Sequence, residues 1–164
     1  MYLNSKKKLN KIVLLAPVAT VQPISPVFMI RSIISMIPFD YFFKNLMYWT
    51  IEDLVKKDKK RAENRVNELL MSSKSFKSKP RVIPTVLDDN ELKSVKIPVL
   101  YLVGENEKIY SAKKAIKRLN NVAPHIKTEM IPNAGRDLPI VQAEIVNKKV
   151  LEFLGQYYRL IYVS

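Results

Sequence analysis

The chain of 164 residues fits one domain by length, and 48% hydrophobic with 26% charged residues supplies a sizeable core, which excludes an intrinsically disordered segment. Its 28 Lys and Arg against 15 Asp and Glu leave a net charge of +13, which brings nucleic acid or an anionic membrane surface into view as a partner. With no cysteine, one histidine and three glycines, the chain excludes disulfides, thiolate chemistry, two-His metal sites, Walker loops and G-x-G-x-x-G turns, and no cofactor or metal is expected.

At the amino terminus Lys6, Lys7, Lys8 and Lys11 precede the apolar run Ile12 to Leu15 and imitate a secretory leader. Pro17 cuts that run short of the ~7 to 15 apolar residues such a segment needs. Residues 12–30 carry no charge, yet Pro17, Pro23 and Pro26 with Thr20, Gln22 and Ser25 would break a membrane helix and strand its backbone groups in lipid. The expectation is a cytoplasmic protein with no transmembrane span.

Ile12 to Leu15, short, continuous and apolar, suits a strand buried on both faces. Val27, Ile30, Ile33, Ile34 and Ile37 then repeat at helical spacing up to Pro38. Residues 39–54 are aromatic and amphipathic; Tyr41, Phe42, Phe43, Tyr48 and Trp49 suit core packing, the commoner use, or a surface that covers a substrate. Residues 56–70 read as a mostly solvated helix. Its Lys56, Lys57, Lys59, Lys60, Arg61 and Arg65 form a basic face that could meet phosphates, but Asp58, Glu63 and Glu68 interrupt it and no aromatic platform accompanies it. A solvated face is therefore preferred to a nucleic-acid site. Residues 72–80 read as a Ser and Lys-rich connector.

After Pro98 the pattern changes. Val99 to Val103 is a second apolar run ending at Gly104, and Ala112, Ala115, Ile116 and Leu119 fall on one helical face with Lys113, Lys114, Lys117 and Arg118 outside. Lys127 to Ile131 reads as a third strand, followed by the turn from Pro132 to Gly135. A last helix buries Val146, Val150, Phe153 and Leu154. Strands alternating with helices imply parallel β-α-β units, and ligand chemistry in such sheets sits at the carboxyl ends of the strands. Those ends are residues 16–20, 104–110 and 133–138.

At these three places the chain resembles the carboxyl-terminal portion of α/β-hydrolases of the esterase and lipase type. Leu14-Leu15-Ala16-Pro17 looks like the strand and turn after the nucleophile helix, and Pro26 to Lys79 has the length and aromatic content of the helical lid. Glu91 to Leu100, continuing to Gly104-Glu105-Asn106-Glu107, is similar to the turn that carries the catalytic acid. Ile131-Pro132-Asn133-Ala134-Gly135-Arg136-Asp137 looks like the turn that carries the catalytic histidine, 29 positions beyond the acid. The resemblance implies an α/β class and a partial α/β-hydrolase fold: about three parallel strands with flanking helices plus a lid insertion. Residues 1–25 would be a strand and turn of the core, 26–85 the lid, and 86–164 the β-α-β-α remainder.

The resemblance places the acid at Glu107, with Glu105 as its rival, and puts Arg136 where the family has histidine. A guanidinium has five donors, no acceptor and a pKa above about 12, so it cannot act as a general base. His125, the only possible substitute, reads as a solvated loop residue before the third strand. No two of Gly104, Gly135 and Gly155 are four apart, so the chain contains no G-x-S-x-G elbow. The expectation is a truncated chain, catalytically inactive alone, in which Glu107 and Arg136 approach each other. The implied parent activity is hydrolysis of small apolar esters, with a separate polypeptide conceivable as the source of the amino-terminal half. The alternative is a basic binding module for nucleic acid or anionic membrane.

Overall fold

A computed structural model describes residues 10–76 and 85–155. The lysines at positions 6 to 8 and positions 77–80 of the connector expected over 72–80 lie outside the described residues. Three strands, β1 (Ile12–Leu15), β2 (Val99–Gly104) and β3 (Lys127–Ile131), form one parallel sheet in the order β1-β2-β3. Ile12 pairs in register with Val99, and Leu100 pairs with Lys127. Five helices connect β1 to β2: α1 (Pro26–Ile34), α2 (Asp40–Thr50), α3 (Glu52–Lys57), α4 (Lys59–Ser75) and α5 (Asp89–Ser94). Helix α6 (Ala112–Val122) links β2 to β3, and α7 (Leu138–Val141) and α8 (Ala143–Leu154) follow.

Every residue of β2 is buried, because it is the central strand and both of its faces are covered. Side chains alternate along a strand. Val99, Tyr101 and Val103 therefore join Ala115 and Leu119 of α6 in one cluster, while Leu100 and Leu102 join Ile131, Leu138 and Val146 in the other. The layers are helix, sheet, helix. The α/β expectation of three parallel strands flanked by helices is met.

Several local expectations are corrected. Strand β1 is half-buried, not buried on both faces, and Leu15 is exposed, because among the described residues β1 has a partner only on its β2 side. The stripe Val27, Ile30, Ile33, Ile34 and Ile37 is exposed; α1 stops at Ile34, three residues before Ile37, and has no buried residue. None of the aromatics at 41, 42, 43, 48 and 49 reaches the core. The basic helix buries a stripe, Ala62, Val66 and Leu70, and it continues through Ser72 and Ser73 where a connector was expected. At the carboxyl end Val146 is buried, but Leu154 falls in the last turn and is exposed.

Candidate functional site

The site is built by two turns that cross over the ends of β2 and β3. A Cβ on Gly104 would stand 2.2 Å from the Ala134 carbonyl oxygen and 2.4 Å from that of Gly135, so only glycine lets the second turn lie on the first. Two hydrogen bonds fasten them: the Glu105 amide donates to the Ile131 carbonyl at 2.9 Å, and the Asn106 amide donates to the Ala134 carbonyl at 2.9 Å. Asn133 supplies the left-handed residue of the second turn, with φ 52°, a conformation asparagine tolerates.

This crossing sets Glu107 beside Arg136. The Glu107 side chain is 0% exposed. Its Oε1 accepts from the amides of Lys108 and Ile109, each at 2.9 Å. Its Oε2 is buried without a hydrogen bond among the described residues and stands 3.8 Å from Arg136 Nη1. Burial pushes the carboxyl above the usual range, against the two amides and the guanidinium, which favour the ionised form. Glu105, the rival, is exposed. The Arg136 side chain is 36% exposed, and its Nη1 also donates to the Ala16 carbonyl at 3.0 Å. Ala16 itself has φ 43°, the left-handed region in which a side chain is strained. His125 is exposed and precedes β3, at the amino end of that strand, so the structure does not bring it to the other two.

Sequence reasoning missed Asp137, which is buried beside them. Its Oδ2 accepts from the Leu54 amide in α3 at 2.7 Å, its Oδ1 has no hydrogen-bond partner among the described residues, and burial raises its pKa. It also missed Asp53, whose two oxygens accept from Asn106 Nδ2 at 3.1 and 3.2 Å. Both acids tie the helical segment to the two turns. No local pattern in the sequence announces either contact, since each joins residues more than fifty positions apart.

A third tie runs through the residues after Glu107. The Ser25 amide donates to the Ile109 carbonyl at 2.7 Å and Ser25 Oγ to the Lys108 carbonyl at 3.2 Å, while the same Oγ caps α1 by accepting from Phe28. Lys108 pairs with Glu52 and lies 5.2 Å from the centre of the Trp49 ring, which Arg31 also approaches at 4.6 Å. Hydrogen bonding to Lys108 and then Lys56 lowers the Glu52 pKa to about 2. Beneath the turn from Gly104 to Glu107 the Tyr101 and Tyr110 hydroxyls meet at 3.0 Å, and burial pushes Tyr101 up to about 12.

Between the helical segment and the strand ends lies a cleft of about 510 Å³. Leu15, Phe28, Ile51, Ile109 and Pro139 give it an apolar wall, and Arg136 contributes a charge. Among the described residues no group of His, Asp and Glu could hold a metal ion, and no helix is long and apolar enough to cross a membrane.

No protein-family model matches the chain. It is 41% identical over 81 residues to carboxylesterase YbfK of Bacillus subtilis strain 168, a stretch that is 49% of this chain and 27% of YbfK. The crystal structure of carboxylesterase CesB (YbfK) from Bacillus subtilis superposes with a TM-score of 0.69 at 27% identity, over 88% of this chain and 51% of that one. The crystal structure of naproxen esterase from the same organism gives 0.72 at 26% identity, with the same shares. Carboxylesterase relatives and α/β-hydrolase neighbours, each covered over about half of its length or less, fit a partial member of the α/β-hydrolase superfamily. The chain spans about half the length of those solved structures, so it carries part of the fold.

Proposed function

We propose that the chain supplies the acid turn, the neighbouring turn at residue 136 and the helical lid of a carboxylesterase-like α/β-hydrolase, the lid running over residues 26–85 between core segments 1–25 and 86–164. The observation that carries this reading is the posture of Glu107. One carboxylate oxygen is held by two amides while the other, unpartnered, stands 3.8 Å from the side chain at position 136. A carboxylate held that way is suited to orient an imidazole and to stabilise its protonated form. The carboxylesterases to which the chain is similar point to small apolar esters as the parent substrate class.

In this reading the 164 residues do not hydrolyse esters by themselves. Arg136 offers no lone pair to take a proton, and no serine stands between glycines in the elbow pattern. Nucleophile, base and the usual oxyanion donors would have to come from elsewhere. The test is a 4-nitrophenyl ester assay on the chain and on its Arg136→His variant. Both are expected to match the buffer rate, since the substitution restores an acceptor at 136 but no nucleophile. Turnover by either protein, abolished on replacing Glu107 in an active variant, would overturn the inactive reading while keeping the acid; turnover indifferent to Glu107 would remove the acid assignment as well.

A further inference from the structure

We propose that the cleft between the helical segment and the strand ends binds amphipathic monocarboxylates, with the Arg136 guanidinium holding the carboxylate and the apolar wall holding the hydrocarbon. The inference goes beyond the hydrolase reading and does not depend on it, because binding requires neither a nucleophile nor a base.

Three observations lead there. The first is size and lining: about 510 Å³ falls among small-molecule sites, and the wall is apolar except at a few points. The second is the fork itself. Among the described residues Arg136 makes one hydrogen bond, from Nη1 to the Ala16 carbonyl, and a guanidinium has five N–H donors in a planar array that matches a carboxylate. The third concerns charge. The nearest carboxylate among the described residues, Glu107, approaches no closer than 3.8 Å to Arg136 and makes no hydrogen bond to it. The guanidinium is thus incompletely compensated by the protein.

The other charged groups on the wall do not supply the same site. Asp137 turns one oxygen to the Leu54 amide and buries the other, and Arg65 lies within 3.6 Å of Glu68. A hydrocarbon of moderate length, aliphatic or aryl, would lie along Phe28, Met47, Ile51 and Ile140. A neutral ester of the same shape keeps the apolar contacts but forfeits the charge.

Isothermal titration of the full 164-residue chain with octanoate and with methyl octanoate tests this. Octanoate is expected to bind at least about tenfold more tightly than the ester, the worth of one charge-assisted hydrogen bond. Arg136→Met is expected to erase the difference, and Arg136→Lys, which keeps the charge but loses the fork, to retain part of it. Arg65→Ala is expected to leave it unchanged. Equal affinity for acid and ester, or no octanoate binding at millimolar concentration, overturns the proposal on the unaltered chain whether or not the variants fold. An Arg65→Ala loss equal to that of Arg136→Met would also overturn the assignment to Arg136. None of these results bears on ester turnover, so failure here and failure of the hydrolase reading are separable.

Discussion

Glu107 holds a carboxyl group where its side chain has no exposed surface. Burial raises its pKa, so the folded chain binds this proton more tightly than the unfolded chain does. The stability it contributes is fully present below the unfolded pKa and is lost as pH rises through the folded one. Glu107→Gln keeps an oxygen for the Lys108 and Ile109 amides and removes the titration. The variant is expected to melt with the parent in acid and above it toward neutrality, the gap widening as pH rises above the ordinary glutamate range. Thermal melts followed by circular dichroism measure it; a gap that does not change with pH would show that Glu107 is not the group responsible. Local sequence could not separate Glu107 from Glu105. What separates them is a tight turn, in which the Glu107 amide donates to the Gly104 carbonyl at 3.2 Å and the chain folds back under the helices. Asp137 was beyond reach for a similar reason, because its partner amide lies 83 residues earlier.

Elements with short-range signals were legible, and those that depend on remote partners were not. Strand β2, helix α6 and strand β3 fall within a few residues of where the apolar run, the helical spacing and the stretch before Pro132 put them. For α4 the start is set by Asp58, whose Oδ1 accepts from the Arg61 amide at 2.9 Å. Its end overruns Ser72 and Ser73, since propagation of an existing helix needs little from each added residue. The spacing of Val27, Ile30 and Ile33 describes a face correctly and says nothing about what covers it. The crossing of the two turns at Gly104 is the most demanding joint between elements. Gly104→Ala would force its methyl into the backbone of Ala134, with no flexible side chain able to yield. The expected cost is about 1–3 kcal/mol or more, as for overpacked cores, read as a lower urea midpoint. An unchanged midpoint would mean that the turns can separate without penalty.

On the scale of the molecule, the described residues form a three-stranded sheet with β1 paired on one side only, and the apolar stripe of α1 is exposed. Ile33 is 66% exposed and Val27 56%, larger exposures than a helix covered on that side would show. Contiguous apolar surface and open strand edges drive association. The isolated chain is expected to self-associate with rising concentration in sedimentation velocity, and Ile30→Lys with Ile33→Glu to shift it toward monomer. A chain that stays monomeric at all concentrations would mean that this surface is covered in solution. The positive charge acts in the opposite direction, since like charges repel, so added salt should favour association.

Trp49 is the one tryptophan in the sequence, and its ring is approached by Arg31 of α1 at 4.6 Å and by Lys108 after β2 at 5.2 Å, and stacks at 6.5 Å on Phe28. An indole so placed is a reporter for a single seam. Its emission registers the parting of the helices from the strand ends, whereas far-ultraviolet ellipticity registers the backbone throughout. If the seam opens before the sheet melts, the two signals will have different midpoints, and the chain will unfold in two stages that an unmodified sample can reveal.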